Sequence, residues 1–455
     1  MAIAPLIEIE PGQGPRSSGI SYQQLLDQET RPVPDVLRWE AARDIPIVKV
    51  PIERYTSQEF HDLEVEKLWK KTWQFACRED DIPEPGDHTV YDIAGLSILV
   101  TRGHDRVVRA FHNVCLHRGR ALKDYPGHSE DIRCPFHGWT WDLEGALKEI
   151  PCRWDFPHVD RDEYALPPVK VGLWGGFVFI NMDPECESLE SFLGDLPKHF
   201  ERWPLENRYT EAHVSKLLRC NWKLGQEAFM EAYHVVGTHP QILAGIGDAN
   251  SQYDVWDTFS RAITPNMTPS PHLAWEASEQ DMLDSMLSAS LDGPPMFEVP
   301  EDMTARQMLG QITRMQLQNT VPSVQELTDA ELADSFDYTL FPNFHPWGAY
   351  NRIVYRFRPY EGRADQCTME VLFLSPYRGR KPAPAKVRWI DFDEPWSSAQ
   401  KEFGSLAKVF NQDAFNLPRI QKGLEAAQHT HVTFGNYQES KIRQFHALLE
   451  KQLQA

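Results

Sequence analysis

The pair Cys115-x-His117 and Cys134-x-x-His137 constrains this chain more than any other feature, because two thiols and two imidazoles on two short loops have to be brought to one place. Such a set suits a 2Fe-2S centre in which histidines replace two cysteines on one iron. That replacement lifts the potential to roughly −150 to +300 mV, so the centre can take electrons from a low-potential donor and pass them to oxygen chemistry. Zinc accepts the same four ligand types in a tetrahedron. Zinc fingers, however, usually set both histidines together at the end of the motif, whereas here each loop supplies one Cys and one His. The surroundings are strand-like. Residues 88–93, 97–101 and 107–113 are short, β-branched and divided by turn residues, which predicts a small antiparallel β domain carrying the two loops. The glycine-containing stretch 172–181 reads as one further run that closes it.

A chain of 455 residues has room for two or three domains. The reading taken is an arm over 1–45, a cluster domain over 46–185 and a second domain over 186–455, in the α+β class. The arm is expected to carry a helix at 22–29 and to wrap the body. The cluster domain opens with a helical pattern at 57–73, where Phe60, Leu63, Val65, Leu68 and Trp69 make an apolar stripe. Helices are expected at 189–202 and 220–239, strands at 337–342, 351–358 and 367–375, and a last long helix from about Pro395. The Pro-, Met- and acid-rich stretch 264–301 is either a lid over a pocket or a surface insertion.

Charge narrows the partners. A net charge of −20 argues against nucleic acid, because phosphate attraction needs a basic surface. Arg118, Arg120, Lys123 and Arg133 nevertheless crowd the cluster loops, as a docking patch for an acidic electron donor or as internal hydrogen-bond donors. No apolar run nears the ~18 residues of a membrane span, and the first residues show no basic-then-apolar leader, so a soluble cytoplasmic protein is expected. Seven cysteines, with two assigned, leave Cys77, Cys152, Cys186, Cys220 and Cys367 as reduced thiols.

A second metal site is written in NWKLGQEAFMEAYHVVGTHP, residues 221–240. Glu231 and His234 would share a helical face, and His239 lies one residue beyond an ideal turn, so the helix is expected to unwind or end at Gly237. Two imidazoles fill one edge of a non-haem iron centre; one carboxylate completes the face and leaves the opposite positions open for oxygen and substrate. A lone histidine pair is more often buried and hydrogen-bonded than ligating. The upstream cluster shifts that balance, since a stored electron needs an acceptor.

CLHRG at 115–119 and CPFHGW at 134–139 closely resemble the Rieske cluster motif, and VFNQDAFNLPRIQKGL at 409–424 resembles the aspartate-donating helix of Rieske oxygenases. Together with the histidine segment, residues 45–450 resemble the terminal oxygenase (large, alpha) subunits of the Rieske non-haem iron oxygenases, the aromatic-ring-hydroxylating dioxygenases. The resemblance implies a 2Fe-2S cluster on Cys115, His117, Cys134 and His137, and a mononuclear Fe(II) on His234, His239 and Asp413, with Glu402 and Glu425 the competing carboxylates. It gives Glu231 the catalytic task of linking His234 to the cluster of a neighbouring subunit, where the family commonly has Asp; Glu227 is a second candidate. It further implies an antiparallel helix-grip (START-like) catalytic domain, a head-to-tail homotrimer, a possible small beta subunit, and a reductase with or without ferredoxin relaying electrons from NAD(P)H.

The function so implied is O2-dependent hydroxylation of a hydrophobic aromatic or polycyclic substrate, held by Phe229, Val235, Val236, Phe341, Phe344, Trp347 and Phe415. The alternatives are a monooxygenase or demethylase of a quaternary ammonium or methylated compound, and an electron-transfer Rieske protein without oxygenase activity.

Overall fold

In the computed structural model, which describes residues 19–41, 43–287 and 296–454, the strands around the cluster motif pair as their alternation demands. Asp87–Ile93, Leu96–Arg102 and Val108–His112 form an antiparallel meander. The run 172–181 is not a single strand: Pro168–Trp174 and Phe177–Asn181 are a hairpin, turned by Gly175 and Gly176 at φ +59° and +77°. Glycine adopts consecutive positive φ without the steric cost other residues meet, which is why the chain can reverse there. With Gln74–Arg78 and Gly127–His128 these strands make a seven-stranded sheet. A separate small sheet of Ile132–Arg133, Thr140–Trp141 and Leu147–Glu149 supports the second ligand loop over its own core of Leu99, Phe111, Leu122, Trp139 and Trp141.

The C-terminal half is built on an eight-stranded sheet. Its order is Gln252–Val255, Phe259–Thr264, Ser335–Leu340, Phe344–Pro346, Ile353–Pro359, Cys367–Pro376, Arg208–Leu218 and Arg388–Ile390, antiparallel except for the last pair. The hairpin Gln252–Val255/Phe259–Thr264 and the long strand Arg208–Leu218 escape a reading by alternation, because nearly every residue in them is buried whatever its direction. Helices cover the sheet: Phe410 of Leu406–Glu425 meets Tyr355 and Phe229 at ring-centroid distances of 6.0 and 6.1 Å, and Phe445 of Ser440–Gln454 meets Trp222 at 5.7 Å. The fold is α+β.

Several helices are more broken than their apolar spacing suggests. Residues 189–202 divide into Leu189–Leu193 and Leu196–Phe200 at Gly194, whose φ is +53°. The run from Pro395 breaks again at Gly404, φ +58°, before Leu406–Glu425, and the last helix is Ser440–Gln454. Residues 57–73 form Gln58–Glu64 followed by a wide-turn segment, Val65–Trp69.

The arm helix is shorter than expected, Tyr22–Leu26, capped by Ser21 and Gln24. The arm is tied to the large sheet, where Arg261 donates to the carbonyls of Val36 and Trp39 at 2.7 Å. Within 264–301 the helix Glu279–Leu287 packs beside Ala305–Leu317, while residues 288–295, like 1–18, lie outside the described residues. No helix among the described residues is long and apolar enough to cross a membrane, and all seven cysteines are free.

Candidate metal sites

The two ligand loops of the N-terminal half are built alike. The Cys115 amide donates to the Arg120 carbonyl at 2.8 Å and the Gly119 amide to the Cys115 carbonyl at 2.9 Å; Cys134 and Gly138 repeat the pattern on Trp139 and Cys134 at 2.8 and 3.1 Å. Each loop closes through a glycine with left-handed backbone, Gly119 at φ +78° and Gly138 at φ +75°. A Cβ on Gly138 would also sit 3.0 Å from the Arg133 guanidinium. Gly138→Val is therefore expected to cost of order 1–3 kcal/mol at the loop and to lower cluster content, read from visible absorbance per chain.

Sulfur faces sulfur and imidazole faces imidazole in this site. Cys115 and Cys134 are both buried, and the Cys134 thiol lies against that of Cys115. The His117 and His137 rings stand 4.6 Å apart, with His117 stacked flat on Trp139 at 5.2 Å. Thiol paired with thiol and ring paired with ring suits a two-iron unit with its thiolates on one iron and its imidazoles on the other. His117 Nδ1 is buried with no hydrogen-bond partner, the state of a nitrogen whose lone pair is meant for a metal. Of the basic residues nearby, Arg120 is held by Asp124 at 2.8 Å and Lys123 by Ser129 at 2.9 Å, while Arg118 lies over the exposed ring of Phe136.

In the C-terminal half, the donor atoms of His234, His239 and Asp413 converge within 4.8 Å of one another. Asp413 projects from Leu406–Glu425, and its Oδ1 lies 2.9 Å from His239 Nε2 and 3.6 Å from His234 Nε2. The far nitrogen of each ring is held by an oxygen: His234 Nδ1 by Glu231 Oε1 at 2.7 Å, His239 Nδ1 by Gln412 Oε1 at 2.8 Å. Those acceptors place the ring protons on Nδ1 and leave two bare Nε2 lone pairs facing a carboxylate. Three electron-rich groups pointed at one another repel unless a cation lies between them, so the donor set fits a metal. Without one, the site must take up protons instead: burial opposes charge on His234, yet Glu231 and then Asp413 push it up to about 9.

The local backbone differs from the expected continuous helix. Trp222–Glu227 ends four residues before Glu231, and a single turn, Val235–Thr238, follows His234, so Glu231 sits on the non-helical link and not on a shared helical face. Its second oxygen accepts from the His234 amide at 2.8 Å, which fixes the link. The break comes before His234 instead of at Gly237. Gln412 was not singled out by sequence, although it is the residue beside Asp413. Gln412→Leu should lower iron affinity ~10–100-fold while the cluster absorption stays, checked by iron titration of the metal-free site.

A cavity of about 560 Å³ opens beside these donors. Glu227, Glu231 and Glu439 contribute carboxylates, Tyr55 and Phe434 aromatic rings, and Leu224, Leu417 and Ile442 apolar wall. None of the seven aromatic and valine residues expected to form a pocket lines it. Phe344 packs instead against Phe75, Phe177 and Phe179 between the halves, Phe229 joins Tyr355 and Phe357 in the core, and Phe415 is exposed. Burial raises Glu439 to about 7, the Gly435 amide opposing and the neighbouring charges of Glu231 and Glu227 adding to it.

Residues 195–455 match the family model described as ring hydroxylating alpha subunit (catalytic domain), and residues 72–160 match the Rieske [2Fe-2S] domain. The chain belongs to the Rieske-type ring-hydroxylating oxygenase family. A Rieske oxygenase of this kind has a 2Fe-2S cluster and a mononuclear non-haem iron as its cofactors. The glycine betaine monooxygenase oxygenase subunit of Pseudomonas aeruginosa is 28% identical over 61% of this chain and 67% of its own length. The carnitine monooxygenase oxygenase subunit of Escherichia coli is 33% identical over 46% of this chain and 56% of its own length. Among solved Rieske oxygenases, a quaternary ammonium monooxygenase in complex with L-carnitine superimposes with a TM-score of 0.64 at 18% identity, covering 90% of this chain and 96% of that one. A naphthalene 1,2-dioxygenase variant bound to phenanthrene also reaches 0.64, at 17% identity over 90% and 93%.

Proposed function

We propose that the chain is a terminal oxygenase that hydroxylates a carbon attached to the nitrogen of a quaternary ammonium compound. Cys115, His117, Cys134 and His137 would hold the cluster; His234, His239 and Asp413 would hold the iron. When bound, the cluster supplies single electrons and the ferrous ion supplies oxygen activation. The chain's own residues do the rest: Glu231 and Gln412 aim the imidazoles through their Nδ1 protons, and the cavity beside them would receive the substrate.

The observation that carries the substrate class is the carboxylate-rich cavity. A quaternary ammonium head has a positive charge and no hydrogen to donate, so carboxylates and aromatic faces are what can recognise it. Glu231 and Glu439 beside Tyr55 and Phe434 offer both, and a cation there would offset the burial, and the lesser repulsion from Glu231 and Glu227, that raise Glu439. A flat neutral hydrocarbon would leave those acids uncompensated. The named substrates of the two bacterial relatives favour the same reading over ring hydroxylation.

The reaction balances at a carbon bonded to the ammonium nitrogen: its C–H, with O2, two electrons and two protons, becomes C–OH, and the second oxygen atom leaves as water. The C–N bond then breaks with its electron pair staying on nitrogen, and loss of the hydroxyl proton leaves a tertiary amine and an aldehyde. Reduced enzyme mixed with oxygen and carnitine, glycine betaine or γ-butyrobetaine is expected to yield those two products from at least one of them. A dihydrodiol from naphthalene, with no reaction of the ammonium compounds, would reject the substrate class.

A head-to-tail homotrimer, served by a reductase or ferredoxin, completes the proposal. It is supported by two exposed apolar groups: Tyr125, Phe136 and Trp154 in the cluster half, and Tyr233, Phe415 and Ile420 in the iron half. Co-expressing Cys134→Ser with Asp413→Ala chains should restore turnover that neither variant has alone. Failure of well-folded mixed assemblies to recover activity would reject transfer between subunits.

A further inference from the structure

Glu227 is a carboxyl the iron chemistry above leaves unused, yet it is the most elaborately held acid in the cavity. It ends the helix Trp222–Glu227 and lines the same space as His234 and Asp413. The Tyr55 hydroxyl donates to both of its oxygens at 3.1 Å, and His446 Nε2 lies 2.9 Å from Glu227 Oε1 and 2.9 Å from the Tyr55 oxygen, closing a buried triangle. Behind it, Arg54 reaches His446 Nδ1 at 3.3 Å and the half-exposed Glu450 at 3.2 Å.

This order fixes where the ring proton sits. A guanidinium can only donate, so His446 Nδ1 accepts and the imidazole carries its proton on Nε2, aimed at Glu227. Burial, with Arg54 and Lys223 adding to it, holds His446 well below its usual range, so it stays neutral. Two fixed donors therefore face Glu227, and they can stabilise a carboxylate left behind by proton loss without moving.

We propose that Glu227 is a proton-donating residue of the oxygenation reaction, with Tyr55 and His446 as the positioning residues that receive it after each transfer. The inference rests on the oxygenase reading above. One of the two protons consumed per O2 would leave the Glu227 O–H bond, the electrons coming from the external reductase, and the carboxylate would recover its proton from cavity water. Burial favours a protonated resting form, against the donors and cations that face the group. Burial raises Glu227 to about 8, opposed by the Tyr55 hydroxyl and, more weakly, by Lys223 of its own helix and Arg54 of the helix Glu53–Thr56. Lys223 is already engaged by Glu64 at 2.7 Å, and Glu439, next to the C-terminal helix, is a further acid that repels charge on the site.

The sign follows directly: the active form is the acid, so the rate should fall as pH rises through the Glu227 titration. The test uses metal-free and fully loaded full-length chain. Infrared difference spectra of the metal-free protein are expected to show a protonated buried carboxyl near neutral pH. It should vanish in Glu227→Gln, and its midpoint should rise in Tyr55→Phe, which loses a donor to the charged form. In the loaded protein, O2 consumption and product yield in a single turnover should drop about a hundredfold in Glu227→Gln with the alkaline limb removed, while Glu227→Asp restores that limb. Absence of the carboxyl band, or an unchanged pH profile in Glu227→Gln, overturns the assignment alone. A wild-type protein that carries both cofactors and consumes no O2 overturns the oxygenase reading, and this inference with it.

Discussion

Asp413→Ala is expected to empty the mononuclear site and to reduce turnover by more than about a hundredfold, with the cluster's visible and paramagnetic signatures unchanged. The magnitude follows from its place: partners that only orient a ligand already cost ~10–100-fold when removed, and Asp413 is itself one of three converging donors. Removing it leaves two imidazoles without the negative group that closes the face, and a divalent ion held by two neutral nitrogens is easily lost to water. The intact cluster spectrum controls for global unfolding, and local misfolding around Leu406–Glu425 would show as lost stability, since Phe410 packs there on Tyr355. Iron analysis showing a full mononuclear site in Asp413→Ala, with turnover retained, would reject the ligand assignment. His239→Ala should behave alike, since its Nε2 lies 2.9 Å from the same oxygen.

The candidate metal-binding residues were legible in the sequence and much of their scaffold was not, for a physical reason. Metal ligands are restricted by chemistry to a few residue types, so Cys115, His117, Cys134, His137, His234 and His239 stand out before any fold is known, and the structure does bring each set together. Asp413 could be singled out only through the resemblance of its segment, because an acid on a helix has no local mark. Position along the backbone was harder. Glu231 and His234 read as one helical face, but a contact through space, carboxylate to imidazole and to amide, serves the same end from a non-helical link. Tyr55, His446 and Phe434 carry no signal at all: they come from the two ends of the chain, and Tyr55 and His446 meet Glu227, with Phe434 stacked on His446, only because the C-terminal helix folds back beside Glu53–Thr56. The expected aromatic pocket failed for the usual cause, that rings on sheets are mostly core. Phe344, on the strand Phe344–Pro346, has that role here, and Phe229 packs partly buried against the core after the helix Trp222–Glu227.

Glu64→Ala is expected to cost about 3–5 kcal/mol of stability, the largest effect of any change outside the metal sites. Glu64 and Lys223 form an ion pair at 2.7 Å in which both side chains are fully buried, and Trp222 Nε1 donates to the other carboxylate oxygen at 3.1 Å. Taking one member away strands an ammonium among the rings of Phe60, Trp222 and Tyr55, 5.1–6.0 Å from their centroids, with no water to solvate it. The pair itself is another matter, since desolvating two charges costs about what their attraction returns. Glu64→Leu combined with Lys223→Met should therefore recover most of the lost stability, and a double-mutant cycle on urea midpoints would measure the coupling. The cycle also separates packing from function. Lys223 lies on the helix that ends at Glu227 and its charge lowers the Glu227 titration directly, so the stable double variant should show that titration displaced upward. A double variant that regains stability and keeps the Glu227 midpoint would limit the pair to holding Gln58–Glu64 against Trp222–Glu227.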